Sequence, residues 1–360
     1  MNDYDKIRPD PDELLASIKL EEGQDKRGKL KIFFGMCAGV GKTYSMLESA
    51  HIDKSNGKDV VIGYIETHNR PDTNELVKGF EIIPRKAVEY KGTKLEDLDT
   101  EAIIARRPDI VLIDELAHTN VPGSSHVKRY EDVLDILDIG IDVYTTLNVQ
   151  HLESRTDTVS QITGIVVRET VPDEIFEKAD EVELVDITPD ELLQRFADGK
   201  VYTSERSVEA IKNFFKKGNI TALREMSLRI VADRVDMQLR AYMQKNRIKG
   251  PWKSGMHLLV VIGPSPHSAK LLRWAKSLAY TMGATLLSLY VEPTRKLSPL
   301  QQDQLNKNIN LARHLGIEFI TTSGNDIVRS ILYIAQKENI THIIVGKPRQ
   351  WNLISYFRLG

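Results

Sequence analysis

The stretch "LKIFFGMCAGVGKTYSML", residues 30–47, constrains this chain more than any other. An apolar run leads into a glycine-bearing turn, and a helical pattern leaves it. Such a turn aims backbone N–H groups at whatever lies before the helix, which suits an anion and above all a phosphate. The standard phosphate-binding pattern is G-x-x-x-x-G-K-[ST]. Here Met36 stands where its first glycine belongs, and Gly35 comes one residue early. The entrance is therefore altered, while "GVGKT", residues 39–43, keeps the working parts. Gly39 and Gly41 accept positive φ and close approach, with Val40 between them. Lys42 can reach β- and γ-phosphates, and Thr43 offers a hydroxyl for Mg²⁺.

A loop of this kind needs an apolar strand ending in an acid. "DIVLIDE", residues 109–115, supplies one, with Asp114 the expected anchor for the metal's water shell and Glu115 a candidate base. Glu66, closing "VVIGYIE", is a second candidate base. Arg70, His118, Thr119, Asn120, Asn148 and Gln150 also follow strand ends, where ligands of open α/β sheets collect. Capping and turn roles are equally open to each. No His/Cys cluster has metal-ligand spacing, so His118 and His151 read as structural residues. Cys37 is the sole cysteine, which excludes an intramolecular disulfide and fits a reducing compartment. It reads either as a redox-sensitive thiol at a helix amino terminus or as a small residue that fills the loop.

Strand and helix patterns alternate along most of the chain, as in parallel sheets with crossover helices. Strands are expected at 30–34, 59–66, 109–115, 142–148 and 181–187. A helical extension follows at about 205–248, broken at Gly218 and Asn219, with Leu223, Met226, Ile230 and the residues around Val235 near one stripe. "KGPWKSG", 249–255, reads as a linker. A second series begins at 256, with strands "HLLVVIG", "ATLLSLYVE", "IEFITTS" and "THIIVGK" and helices at 269–282, 298–315 and 325–338. The expected fold class is thus α/β twice over: a P-loop NTPase-like parallel sheet with its extension in 1–248, then an open α/β domain in 256–360. The final "WNLISYFRLG" looks like the start of another helix, so the second domain is expected to be truncated or completed by a partner.

With 49 basic against 51 acidic residues, there is no global charge to argue for nucleic acid or an anionic membrane surface. The amino terminus lacks a secretory signal, and no apolar run approaches the roughly 18 residues of a membrane helix. A cytoplasmic location without direct membrane insertion is expected.

"RPDPDELLASIK", "GKLKIFFGMCAGVGKTYSML", "GYIETHNRPDT", "DELAHTN", "LNVQHLES" and "FFKKGNITALREMSLRIVADRVD" closely resemble the amino-terminal cytoplasmic region of the KdpD sensor histidine kinases, which govern potassium-transporter expression. The resemblance runs over roughly residues 8–237. That family's loop also lacks the standard first glycine. Residues 256–360 resemble the universal stress protein domain that follows in the same kinases. The resemblance implies a module of a two-component system that binds ATP and Mg²⁺ and tunes a histidine kinase core in the same or another chain. Its parent proteins are anchored in the inner membrane. Gly39, Gly41, Lys42 and Thr43 match the family's nucleotide loop, and Asp114 its metal-anchoring position.

In the second domain Gly346 matches the first glycine of the universal stress nucleotide motif, but Arg349 replaces the second. Ser265 and Ser268 follow the first strand, where a loop can hold phosphates. Cyclic di-AMP, which some family members bind there, is one implied ligand; a protein contact, for instance with a universal stress protein, is the alternative. None of the nine histidines lies in a phosphoacceptor setting, so autophosphorylation is not expected and any ATPase should be slow. A stand-alone P-loop ATPase or small-molecule phosphotransferase remains the rival reading, and a scaffold with an empty loop a third.

Overall fold

The computed structural model describes residues 27–68, 70–199, 214–246, 255–293, 297–324 and 326–346. The expected linker at 249–254, the extension at 205–213, Arg349 and the final "WNLISYFRLG" lie outside them. The chain divides into two compact units, Met1–Ala232 and Asp233–Gly360.

In the first unit the strands are β1 (Leu30–Gly35), β2 (Val60–Tyr64), β3 (Glu81–Ile82), β4 (Lys86–Tyr90), β5 (Thr93–Asp97), β6 (Ile110–Ile113), β7 (Asp142–Asn148) and β8 (Glu181–Leu184). Six of them form one sheet in the order β3-β2-β6-β7-β1-β8, every pair parallel. Successive side chains of a strand point to opposite faces. Accordingly Leu30, Ile32 and Phe34 join Val61, Val111 and Val143 in one core cluster. Phe33 joins Ile62 and Leu112 in another, on the far side of the sheet. Helix Lys42–Ser55 closes the second cluster with Met46, Leu47 and Ala50, while helix Arg129–Asp138 closes the first with Val133, Ile136 and Leu137. Both faces are covered, which is why these strands read as continuous apolar runs.

β4 and β5 form a separate antiparallel hairpin that the periodicity did not announce. Lys91 and Gly92 at its tip both have positive φ, 51° and 76°, the requirement of the two-residue turn that matches strand twist. Its residues are largely exposed, so no apolar alternation marks it.

The helix Lys217–Lys245 corrects one detail of the expected extension and sharpens another. Gly218 and Asn219 sit in its first turn, and the interruption falls earlier, at Phe215 and Lys216. Leu223 is fully buried, and Met226 and Ile230 pack against the first core, but Val235 is 55% exposed. Four residues on from Ile230, the helical step lands on Arg234, which is buried instead.

The second unit carries β9 (His257–Val261), β10 (Thr285–Glu292), β11 (Glu318–Ser323) and β12 (His342–Ile344) in a parallel sheet ordered β11-β10-β9-β12. Helices His267–Met282, Pro299–His314 and Ile327–Lys337 connect them, close to the expected bounds. Among the described residues no helix is long and apolar enough to cross a membrane.

Candidate functional site

The site gathers at the carboxyl ends of β1, β6 and β7. Gly35 lies opposite Asn148, and Ile113 opposite Thr145, so Asp114 emerges beside Thr146 and near the loop that leaves β1. Gly39 and Gly41 have φ of 91° and 107°, conformations a side chain would strain, and Gly41 precedes helix Lys42–Ser55. Gly35 is needed for room rather than for torsion. A Cβ there would stand 2.8 Å from Val40 Cγ2 and 3.1 Å from the Val185 carbonyl oxygen. Between these glycines Met36, Cys37 and Val40 are buried in the first core cluster. Met36 thus anchors the loop's entrance in the core.

Burial decides between the two readings of Cys37. The side chain is inaccessible, and desolvation pushes the thiol up to about 12, against a smaller pull from the Lys42 charge. It fills the loop and is not a reactive thiol.

Lys42 is buried, and its Nζ donates to the Cys37 carbonyl at 3.0 Å. Desolvation draws its pKa down to about 8, although Asp114 and Glu115 favour the charged form. Thr43 Oγ1 donates to Asp114 Oδ2 at 3.0 Å. Asp114 Oδ1 accepts from Thr146 Oγ1 and from the Glu115 N–H, the latter at 3.0 Å. Both carboxylate oxygens are therefore oriented from two sides.

Beneath them lies a residue with no counterpart among the expectations. Arg129, fully buried at the start of its helix, donates through Nη1 to the Asp114 carbonyl at 3.0 Å and through Nη2 to Asp97 Oδ1 at 2.9 Å. Its guanidinium lies 3.7 Å from the centre of the Tyr64 ring. Asp97 also accepts the N–H groups of Leu98 and Val121. In the sequence Arg129 opens "RYEDVLDILD", where a charge at a helix start reads as solvated.

The two candidate bases differ. Glu115 adopts φ 58°, and burial together with Asp114 raises its carboxyl to about 7, with Arg129 opposing. Glu66 is already engaged: its Oε1 accepts from Tyr64 Oη at 3.0 Å and Arg85 Nη2 at 2.9 Å. The other strand-end residues mostly build loops. Thr119 N–H bonds Glu169, Asn120 holds Asp132 and the His126 carbonyl, and His151 Nδ1 lies 2.8 Å from the Glu169 carbonyl. Burial lowers the pKa of both His118 and His151. Asn148 Oδ1 and Gln150 Oε1 are buried without a donor. Among the described residues no group of three or more His, Cys, Asp or Glu could hold a metal ion. A cation here would depend on Thr43, water and the oxygens of a ligand.

A cavity of about 1140 Å³ opens over the loop. Gly39, Gly41 and Thr43 form its floor, with Arg70 among its walls and Val185, Ile187 and Arg195 contributed from beyond β8. In the second unit Ser265, Ser268 and Gly346 do come together, around a cavity of about 1160 Å³ shared with Lys270 and Trp274. There the Ser268 hydroxyl is tied to Gly263, accepting its N–H and donating to its carbonyl, and Ser265 Oγ accepts the His267 N–H at 3.3 Å.

Residues 26–235 match the family model described as "KdpD: Osmosensitive K+ channel His kinase sensor domain". A sensor protein KdpD of Clostridium acetobutylicum is 48% identical over 346 residues, 96% of this chain and 38% of that protein. The sensor protein KdpD of Escherichia coli is 44% identical over 349 residues, 96% of this chain and 39% of its own. A KdpD-type sensor protein of Synechocystis is 43% identical over 334 residues, 91% of this chain and 89% of that one. The chain thus spans less than half of the first two relatives. A universal stress protein structure from Burkholderia pseudomallei overlaps 27% of this chain and 85% of its own at 16% identity, with a TM-score of 0.22. That likeness is too weak to build on, and the α/β character of the second unit stands on its own strand order.

Proposed function

Because the chain belongs to the KdpD family of sensor proteins, we propose that its first unit is a Mg-ATP-binding regulatory module of a potassium- and osmotic-response sensor histidine kinase. Nucleotide occupancy at the glycine loop would bias the kinase and phosphatase activities of a core in the same or another chain.

The observation that carries this reading is Lys42. A buried ammonium whose hydrogen bond goes to one main-chain carbonyl, 3.0 Å away on Cys37, is poorly compensated. Polyanionic oxygens would compensate it, and the positive-φ glycines ahead of the helix leave backbone for them to approach. The donor set also fits a magnesium ion, with Thr43 as its hydroxyl ligand and Asp114 accepting from its water shell. When bound, the ion would offset charge on the phosphates. Glu115, with its carboxyl raised to about 7, suits a proton acceptor near neutrality better than Glu66, which Tyr64 and Arg85 hold. Slow hydrolysis is the most this arrangement calls for.

Calorimetric titration of Mg-ATP into the wild-type chain and Lys42→Ala is the test. Micromolar to millimolar binding that the substitution abolishes supports the reading, and equal affinities would sink it. A turnover of roughly 1 s⁻¹ or more, with an added acceptor, would instead favour a phosphotransferase. The same titration with cyclic di-AMP examines the proposed ligand of the second unit's cavity, where Ser265 and Gly346 stand.

A further inference from the structure

We propose that Arg70 reads the terminal phosphate of the bound nucleotide and makes this site prefer a triphosphate to a diphosphate. The inference rests on the nucleotide reading above and assigns a residue that the loop motif does not include.

The side chain starts from a fixed mount. Arg70 N–H donates to the Thr67 carbonyl at 3.1 Å, and its own carbonyl accepts from Asn74 N–H at 2.8 Å. Pro71 opens helix Pro71–Val77 and restricts the residue before it to an extended backbone, as the φ of −76° and ψ of 121° show. From there the side chain lines the same cavity as Gly39, Gly41 and Thr43.

What distinguishes this guanidinium is that the protein does not satisfy it. Its Nε is buried without an acceptor, as is that of Arg129, but among the described residues none of its three guanidinium nitrogens donates a hydrogen bond. The other two arginines around the site hold acceptors through their Nη groups. Arg129 has Asp97 and the Asp114 carbonyl, and Arg195 has Glu191 at 2.8 Å and the Val40 carbonyl at 3.3 Å. An arginine cannot shed its proton to escape such a position. Unmet donors of a charged group are expensive to bury, so the geometry favours a ligand that brings oxygens.

Arg70 is also set against the lysine it accompanies. Its charge works against that of Lys42, and burial disfavours the charge on each of them. Asp114 attracts both, yet its two oxygens already accept from Thr43, Thr146 and the Glu115 N–H. With Arg70 on the cavity wall, its charge felt by the buried Lys42 of the same loop, and the nearby carboxylate committed elsewhere, the cavity suits a doubly charged group over the loop. A terminal phosphate meets that description, with oxygens to spare for a planar fork. In a diphosphate the same group would lie one phosphate short of Arg70, while Lys42 would still reach the β-phosphate.

The experiment compares Mg-ATP with Mg-ADP, by calorimetry on the full chain, for wild type, Arg70→Ala and Arg70→Lys, with thermal melts to check folding. The expected result is that Arg70→Ala weakens ATP binding about 10- to 100-fold while ADP binding holds, collapsing the preference. Arg70→Lys keeps a charge without the fork and should fall between; it carries the comparison alone should the alanine variant not fold. Equal losses for both nucleotides, or no loss for either, would overturn the role of Arg70 and leave the nucleotide site standing. Wild-type protein that binds neither nucleotide would overturn both.

Discussion

Thr43 and Asp114 lie 71 positions apart in the chain, and a 3.0 Å hydrogen bond joins the hydroxyl of one to the carboxylate of the other. The loop after β1 and the end of β6 are thereby tied at the point where a cation on the phosphates would sit. Thr43→Val removes the donor with little change in volume. Its expected effect is to reduce by about tenfold the gain in ATP affinity that Mg²⁺ provides, with metal-free affinity nearly unchanged. Thr43→Ser should restore the gain. Titrations with and without magnesium check this, and an unaltered dependence on the metal counts against the assignment.

Lys42 leads to a prediction about protons. Burial places its pKa at about 8 in the free protein, below the ordinary lysine value of 10.5. Between those two values the folded lysine is largely neutral while the unfolded one is charged, so this group adds stability as pH climbs through the window. Phosphates would restore the charge, and binding should therefore take up roughly half a proton or more near pH 9, and far less near pH 7. Binding heats measured in two buffers of different ionisation enthalpy report the uptake directly. Identical heats near pH 9 would mean that no anion has reached the amine.

Cys37 should be inert in the native protein. A thiol pushed up to about 12 and sealed in the core presents almost no thiolate at pH 8. Thiol reagents are expected to leave it unmodified until denaturant is added, then to label it fully. Rapid native labelling would show that the loop opens, and would return the residue to the redox-sensitive class.

The network around Arg129 should matter for folding as much as for function. Arg129→Ala leaves Asp97 buried beside two main-chain N–H groups but without its counter-charge. A loss of about 3–5 kcal/mol is expected for breaking a buried pair in this way. Urea unfolding followed by circular dichroism measures it. A loss within roughly 0.5 kcal/mol, as for ordinary surface positions, would show that the guanidinium is not structurally committed.

Much of the fold could be read in advance because a strand buried on both faces leaves an unbroken apolar run, as "DIVLIDE" and "DVVIGYIE" do. The loop was legible for a different reason: glycine at positive φ and a lysine beside a hydroxyl are demands of local chemistry that show at short spacing. What stayed hidden was long-range. Nothing near Arg129 hints that Asp97, 32 positions earlier, ends a hairpin against it. Glu66 looked free for chemistry until Arg85, 19 residues on, was seen to bind it. The stripe could be followed in the sequence only to the neighbourhood of Val235, where the helical phase puts Arg234 rather than Val235 inside. Arg70 was visible as a strand-end residue, yet its lack of partners is a property that only three dimensions reveal.

The wall supplied from beyond β8 bears on how this protein comes into being. The glycine loop is synthesised early, but Val185, Ile187, Arg195 and Gly199 complete its cavity, and β8 pairs directly with β1. A nascent chain emerging amino terminus first therefore carries the glycine loop long before the cleft over it is complete. Gly35 adds a check, since it leaves room for the Val185 carbonyl that arrives only with that last wall. The cavity over the loop is in effect a report that the chain has been translated and threaded through residue 199.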